Sequence, residues 1–379
     1  MSERAYLDWN ATAPLRPEAL AAMLDALEVA GNPSSVHAEG REARRLVERA
    51  RGYVAAAVGA VADGVVFTSG GTEANALVLT PGWTLDGQSA QRLIVSAIEH
   101  PSVLAGGRFP AERIGVAPVT ADGIIDLDAL AGKLAGEPAL VSLMLANNET
   151  GAIQPVAEAA RIVHASGGVL HVDAVQALGR MAVDAPALGI DLLTVSAHKI
   201  GGPKGTGALI VVNPALHWPH PLIRGGGQER NRRAGTENVA GIAGFGAAAE
   251  ALSGRLATEV EHMAALRQQL EAGFAGIDDM VVFSEAVPRL PNTTLFALNG
   301  VRAETAVIAF DLEGVAVSSG AACSSGKVQP SHVLGAMGVQ PEIAEAAIRV
   351  SWGHATKKAD INRCIEAWKK LANVLRKPR

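Results

Sequence analysis

The chain has 379 residues, of which 49% are hydrophobic, 19% charged and 4% aromatic, and it carries a formal net charge of −5. This length predicts two domains or one large α/β domain, and the acidic balance disfavours a nucleic-acid surface. The start, MSERAYLDWN, lacks a signal-peptide core, no apolar run could span a membrane, and two cysteines do not make a disulfide framework. We therefore expect a cytoplasmic, enzyme-like protein.

Apolar, β-rich runs alternate with helical patterns over the first two thirds of the chain. In order, these runs are GVVFTSG, RLIVSAIE, IGVAPV, ALVSLMLAN, GVLHVDAV, IDLLTVSAH and TGALIVV. Such alternation is typical of a mostly parallel sheet that is covered by helices on both faces. We therefore predict a large α/β domain.

The pattern changes to a long, alanine-rich helical stretch from Asn238 to about Ile277. Short strands follow in MVVFSE, NTTLFALN, VAVSSG and IRVSWG, with helical patterns between them. This mixture predicts a smaller α+β domain. With a boundary near residue 258, the large domain would cover residues 16–258, and the small domain residues 1–15 and 259–379.

Lys199 stands where a buried strand ends and a glycine-rich loop begins, in VSAHKIGGPKGTG. A lone lysine at such a place is usually a solvated cap. However, Asp173 ends the preceding strand, and a strand–connection–strand unit would bring both side chains to the same carboxyl edge of a parallel sheet. Pyridoxal phosphate needs such a pair: the lysine forms a Schiff base with it, and the carboxylate keeps the pyridine nitrogen protonated.

A phosphate-binding turn is predicted in TSGGTEAN, which follows the strand GVVF and opens a helical stretch. The backbone N–H groups of Gly71 and Thr72 could meet an anion at the helix N-terminus. The hydroxyls of Thr72 and Ser196 could each add a hydrogen bond. Taken alone, the segment also fits an ordinary strand-to-helix turn.

Three further polar side chains follow strand ends. His100, in SAIEHPSV, could stack on a pyridine ring, although a lone histidine is more often structural. Gln176 could reach the ring hydroxyl, and Asn148 follows another strand end in ANNETG. Because so many strand ends meet the needs of one ligand, the sequence favours a cofactor site over the structural alternatives.

The two cysteines have different surroundings. Cys323 lies among small residues in SSGAACSSG, which predicts an exposed, mobile loop, and exposure favours thiolate chemistry. Cys364 lies at helical spacing from Ile361 and Trp368 and is predicted to pack in a core. A nucleophile beside a cofactor that activates amino acids suggests attack on the side chain of the substrate.

These motifs together resemble the class V aminotransferase family and, within it, the cysteine desulfurases of the NifS/IscS type. The matching stretches are YLDWNATAP, GNPSSVHAEGREAR, TSGGTEAN, IEHPSV, NNETGAIQPV, HVDAVQALG, SAHKIGGPKGTGAL, RRAGTEN, SSGAACSSG and IRVSWG. The lysine segment marks the wider superfamily, and the cysteine loop marks the desulfurases. The resemblance implies fold type I of the pyridoxal-phosphate-dependent transferases, with a mostly parallel seven-stranded sheet and a smaller α+β domain.

The resemblance also implies how the cofactor is held. Lys199 would carry pyridoxal 5′-phosphate, with Asp173 at the pyridine nitrogen, His100 on the ring and Gln176 at the ring hydroxyl. The phosphate would be bound by Thr72, Ser196 and His198, and by Thr236 of the partner subunit in a homodimer. No metal is expected.

The implied reaction converts L-cysteine to L-alanine. Asn148 and Arg349 would bind the carboxylate of the substrate, Lys199 would remove the Cα proton, and Cys323 would take the sulfur as a persulfide. The sulfur would pass to an acceptor protein, either an iron–sulfur scaffold or a tRNA-thiolation protein. Three alternatives stay open: a selenocysteine lyase, another class V enzyme such as an aminotransferase in which Cys323 is incidental, and an inactive, cofactor-binding regulator.

Overall fold

A computed structural model of the chain describes residues 4–320 and 330–375. Its strands are β1 (Ala5–Tyr6), β2 (Val65–Thr68), β3 (Trp83–Leu85), β4 (Gln88–Ala90), β5 (Leu93–Ser96), β6 (Ile114–Ala117), β7 (Leu140–Met144), β8 (Val169–Asp173), β9 (Leu192–Ser196), β10 (Gly207–Val211), β11 (Met280–Val282), β12 (Thr293–Leu298), β13 (Val315–Ala316), β14 (Ser318–Ser319) and β15 (Ile348–Ser351).

Helices separate most of these strands along the chain. They are α1 (Pro17–Leu27), α2 (Ala38–Ala56), α3 (Gly71–Val78), α4 (Pro101–Leu104), α5 (Leu127–Leu134), α6 (Val156–Ala165), α7 (Val239–Glu250), α8 (Leu256–Gly273), α9 (Ala303–Leu312), α10 (His332–Ala336), α11 (Pro341–Ala344) and α12 (Lys358–Leu375). Among the described residues, no helix combines the length and the apolar character that crossing a membrane requires.

The central sheet has seven strands in the order β2-β10-β9-β8-β7-β5-β6. The strands from β9 to β6 are parallel to their neighbours, whereas β10 runs antiparallel to both β9 and β2. The reversal follows from chain length, because residues 197–206 are too few for the crossover connection that a parallel pair requires. The predicted mostly parallel sheet is confirmed, and each of its strands lies in one of the apolar runs.

Both faces of the central sheet are buried. In β10, Ala208 and Ile210 belong to one hydrophobic cluster, whereas Leu209 and Val211 belong to another on the opposite face. Side chains alternate between faces along a strand, so a strand covered on both sides is mostly apolar at successive positions. This is why the strands are visible in the sequence as continuous apolar runs.

The second, antiparallel sheet has the order β11-β12-β15-β14. Its core also contains residues from the start of the chain, since β1 pairs with β13 and Leu7 is buried in the same cluster. The predicted helical stretch is divided into α7 and α8 near Gly254, which adopts a positive φ of 75° that favours glycine. The domain boundary near residue 258 stays a prediction.

Cys364 belongs to this second core, as predicted from its spacing. The residue is fully buried, and burial raises the pKa of its thiol to about 12. The thiol therefore stays protonated near neutral pH and acts as a small apolar group.

An aromatic cluster around Trp368 is expected to carry much of the stability of the second core. Its ring centroid lies 5.1 Å from that of Phe296 and 5.7 Å from that of Phe310. We expect Trp368→Ala to lower the free energy of unfolding by about 3–5 kcal/mol, because apolar contacts are lost and a cavity remains. Urea denaturation followed by circular dichroism measures this change.

The matched control is Leu312→Ala, since the Leu312 side chain is 82% exposed. We expect this control to change the free energy of unfolding by no more than about 0.5 kcal/mol. Equal effects of the two substitutions would contradict the assignment of Trp368 to the core.

Candidate active site

A cavity of about 290 Å³ opens at the carboxyl ends of β5, β7, β8 and β9. It is lined by Asn10, Ala11, Gly71, Thr72, Asn75, His100, Ser102, Met144, Ala146, Asn148, Asp173, Val175, Gln176, Ser196, His198, Lys199 and Arg349. The predicted site residues are therefore brought together, apart from two. Thr236 is exposed and does not line this cavity of its own chain, and Cys323 lies outside the described residues.

Asp173 ends β8 with a carboxylate that is fixed by two hydrogen bonds. Asn75 Nδ2 donates to its Oδ2 atom over 2.8 Å, and the backbone N–H of Val175 donates to Oδ1 over 3.0 Å. The sequence interpretation missed Asn75, although it ends the motif TSGGTEAN. Its position three residues after Thr72, one turn along α3, was the available signal.

His100 caps the N-terminus of α4 and presents one defined tautomer. The backbone N–H of Ser102 donates to Nδ1 over 3.1 Å, so the neutral ring carries its proton on Nε2. Burial lowers the pKa of His100, although Asp173 opposes this shift, so the neutral form is favoured near pH 7. Ser102 Oγ also accepts a hydrogen bond from Asn75, which links His100 to the support of Asp173.

Lys199 follows β9 in a short 3-10 turn and reaches the N-terminal segment. Its Nζ atom donates to the backbone carbonyl oxygens of Asn10, over 2.5 Å, and Ala11, over 2.9 Å. Gln176 Nε2 donates to the same Asn10 oxygen over 3.0 Å. The sequence analysis assigned no role to Asn10, although Asn10 lies in the matching stretch YLDWNATAP.

The other end of the cavity is built for an anion. Gly71 and Thr72 begin α3, where backbone N–H groups have no partners within the helix. A Cβ atom on Gly71 would lie 3.1 Å from Val175 Cγ2 and 3.6 Å from Ser196 Cβ. The absence of a side chain at Gly71 thus keeps the helix N-terminus close to the end of β9.

His198 also lines this end of the cavity. Burial, together with the charge of Lys199, lowers the pKa of His198 to about 4, so its ring is neutral near pH 7. Its Nδ1 atom hydrogen-bonds the Thr12 hydroxyl over 3.0 Å. The ring can therefore offer an N–H group to an anion, but not a full positive charge.

Arg349 reaches the cavity from β15 of the antiparallel sheet and is only 2% exposed. Its guanidinium donates to the Asn148 carbonyl oxygen over 3.0 Å and to Asp8 Oδ1 over 2.8 Å. The Nε atom is buried and has no hydrogen-bond partner among the described residues. A buried guanidinium with an unused donor fits the binding of a small carboxylate.

Glu99, which precedes His100, is a buried carboxyl that the sequence interpretation also missed. The backbone N–H of Met144 donates to its Oε1 atom over 2.7 Å. Complete burial, with a smaller contribution from the Asp173 charge, raises the pKa of Glu99 well above its usual range. Burial therefore favours the uncharged form of Glu99, which limits the negative charge beside Asp173.

Comparison with known proteins shows full-length similarity. The aminotransferase class-V family matches residues 5–364. A cysteine desulfurase of Cereibacter sphaeroides is 44% identical, with 99% of this chain and 97% of the relative covered. The cysteine desulfurase IscS of Dictyoglomus turgidum is 41% identical, with coverages of 99% and 96%.

A solved structure of the NifS-like protein from Rickettsia africae has the same fold, with a TM-score of 0.89 and 36% identity. The alignment covers 98% of this chain and 100% of that protein. The chain therefore belongs to the class-V aminotransferase family, and within it to the NifS/IscS-type cysteine desulfurases.

Proposed function

We propose that the protein is a pyridoxal-phosphate-dependent cysteine desulfurase that forms L-alanine from L-cysteine and takes the sulfur as a persulfide on Cys323. The observation that carries the proposal is the meeting of Lys199, Asp173 and Arg349 in one cavity. A lysine and a carboxylate serve the cofactor, and the guanidinium serves an amino-acid substrate. The family relationship supports the same reaction.

The side chains that line the cavity fit pyridoxal phosphate in kind and in order. Asp173 provides a fixed carboxylate, and the N-terminus of α3 provides N–H groups. Lys199 and His100, whose neutral form is favoured, line the same cavity. Class-V aminotransferase membership implies the same cofactor.

In the proposed complex, each of these groups has a defined task. The Asp173 carboxylate would keep a proton on the pyridine nitrogen, and His100 would pack against the ring. Gln176 would bind the ring hydroxyl. The phosphate would be bound by Gly71, Thr72, Ser196 and His198, and by Thr236 of the partner subunit in a homodimer.

Bound pyridoxal phosphate withdraws electrons from the Cα atom of an amino acid attached to it. The chain supplies the groups that handle the substrate and its protons. Arg349 and Asn148 would bind the carboxylate of L-cysteine and orient its Cα–H bond. The Lys199 amine, released from the cofactor, would take the Cα proton and later return a proton to the product.

Cys323 would then act as the nucleophile toward the substrate sulfur. Its thiolate forms a new S–S bond to that sulfur as the Cβ–S bond of the substrate breaks. The electron pair of the broken bond stays on the three-carbon fragment, which takes up protons and leaves as L-alanine. The sulfur remains on Cys323 as a persulfide and would pass to an acceptor protein, either an iron–sulfur scaffold or a tRNA-thiolation protein.

The first test replaces Cys323 with alanine. With a reductant present, we expect wild-type protein to release alanine and sulfide from L-cysteine in equal amounts. Cys323→Ala should lower both rates by at least about 100-fold while the yellow absorbance of the bound cofactor remains, because only the nucleophile is lost.

Cys364→Ala is the matched control and should keep the activity, since Cys364 is buried in the second core. Undiminished alanine from Cys323→Ala would overturn the role of Cys323 and favour another class-V reaction. If wild-type protein releases no alanine, an aminotransferase or an inactive regulator is favoured. If it turns over selenocysteine faster than L-cysteine, a selenocysteine lyase is favoured.

Lys199→Ala should abolish covalent attachment of the cofactor. After treatment with borohydride and denaturation, mass spectrometry should show the added mass of the cofactor on wild-type protein but not on Lys199→Ala. Lys204→Ala is the control, because Lys204 is an exposed residue of the same loop. Cofactor mass on the Lys199 variant would place the attachment elsewhere.

Arg349→Lys should weaken the binding of L-cysteine. Lysine keeps the charge but lacks the two-pronged donor geometry that matches a carboxylate, so we expect KM to rise about tenfold or more. Initial rates against the concentration of L-cysteine measure this change. The control Arg113→Lys alters an exposed ion pair with Glu137 and should leave KM as in wild type.

A further inference from the structure

Glu149 lies in the turn that follows β7, next to Asn148. Asn147 Oδ1 accepts hydrogen bonds from the backbone N–H groups of Glu149, over 2.9 Å, and Thr150, over 3.0 Å, which fixes the turn. Asn148 lines the cavity, whereas Glu149 does not, although Glu149 is only 3% exposed. A buried carboxyl outside the proposed reaction needs a separate explanation.

Glu149 hydrogen-bonds Ser331 and lies close to Gly320, so it is near residues on both sides of segment 321–329, which carries Cys323. Ser331 Oγ donates to Glu149 Oε2 over 2.5 Å, and the same hydroxyl accepts from Leu334 N at the start of α10. On the other side, a Cβ atom on Gly320 would lie 3.3 Å from Glu149 Oε2. Gly320 is held in place because its N–H group donates to the Ala347 carbonyl oxygen over 3.0 Å.

We propose that Glu149 is a positioning residue that holds Gly320 and Ser331, the residues flanking the cysteine segment, against the turn that presents Asn148 to the substrate. The inference rests on the proposed role of Cys323. Glu149 thus links Gly320 and Ser331 to the turn that carries Asn148. Asn148 would bind the carboxylate of L-cysteine. We therefore expect Glu149 to influence the step that needs Cys323.

The charge state of Glu149 supports this assignment. Burial raises the pKa of Glu149 to about 7, opposed by the hydrogen bond from Ser331 and by the positive charge of Arg349. Arg349 is itself paired with Asp8. Nearby His332 hydrogen-bonds the backbone carbonyl oxygen of Glu99 rather than Glu149.

The raised pKa of Glu149 determines how the stability of its contact with Ser331 changes with pH. With its hydrogen bond to Ser331 formed, Glu149 binds its proton more tightly than a solvated glutamate, whose pKa is 4.5. The contact is therefore most stable below pH 4.5, and this stability is lost as the pH rises to about 7. Glu149→Gln keeps a neutral, hydrogen-bonding side chain and should remove this dependence.

Hydrogen exchange followed by mass spectrometry tests the inference on the full chain with its cofactor. Two peptides report the contact, since the amides of Gly320 and Leu334 are hydrogen-bonded beside it. We expect Glu149→Ala and Ser331→Ala to speed their exchange by about tenfold or more, and Ser331→Thr to restore protection because it keeps the hydroxyl. Glu342→Gln, which changes an exposed residue of α11, is the control.

A comparison across pH separates positioning from a general loss of structure. The exchange rate of each protein is first corrected for the intrinsic rate at that pH. The ratio of the wild-type rate to the Glu149→Gln rate should then rise more than about tenfold between pH 5.5 and pH 8.

Steady-state kinetics of Glu149→Ala should show a lower kcat, with KM for L-cysteine and the cofactor absorbance unchanged. A structural defect would instead alter all three.

Unchanged exchange at both peptides in Glu149→Ala, or a ratio that does not vary with pH, would overturn the inference. The exchange result does not depend on the reaction. If alanine release proves independent of Cys323, the proposed function fails, while the exchange still decides whether Glu149 holds Gly320 and Ser331.

Discussion

The parallel pairing of β8 with β9 is the constraint on which the site depends. Asp173 pairs with Thr194, so Lys199 follows only a few residues beyond the same edge of the sheet. Because side chains alternate between faces, a slip of one residue in either strand would turn Asp173 away from the cavity. Strands buried on both faces resist such a slip, since other registers would disrupt the close packing of two cores.

A buried polar network joins the N-terminal segment to both sheets. Asn10 Nδ2 donates to the Asn148 carbonyl oxygen and to Thr293 Oγ1, while Asn10 N donates to Ser351 Oγ. The Asn10 carbonyl oxygen accepts from Lys199. Buried networks whose members are satisfied favour a single arrangement, since each lost partner leaves a costly unpaired group. The lysine and Arg349 are therefore positioned by the same segment.

Burial also sets the charges around the cavity. It lowers the pKa of His198 to about 4 and that of His171, which lies beneath the site in β8, to about 3. These rings are neutral near pH 7 and bind through N–H dipoles. The same desolvation raises the pKa values of the buried carboxyls Glu99 and Glu149. Desolvation thus favours the uncharged forms of these histidines and carboxyls, whereas the buried guanidinium of Arg349 is paired with Asp8.

The sequence by itself determined the strands of the central sheet and several of the polar residues that line the cavity, and the family resemblance added His198 and Arg349. These features depend on local patterns: continuous apolar runs mark doubly covered strands, and the polar residues that follow them must meet at one edge. Only the tertiary structure decided the antiparallel direction of β10 and the partners Asn10, Asn75 and Glu149. Asn10 and Glu149 pair with residues distant in the chain, Thr293 and Ser331, so no local pattern encodes these pairings. The position of Asn75 in TSGGTEAN was a local signal, but its bond to Asp173 joins α3 to the end of β8, which only the fold brings together. The role of Cys323 stays a prediction from sequence.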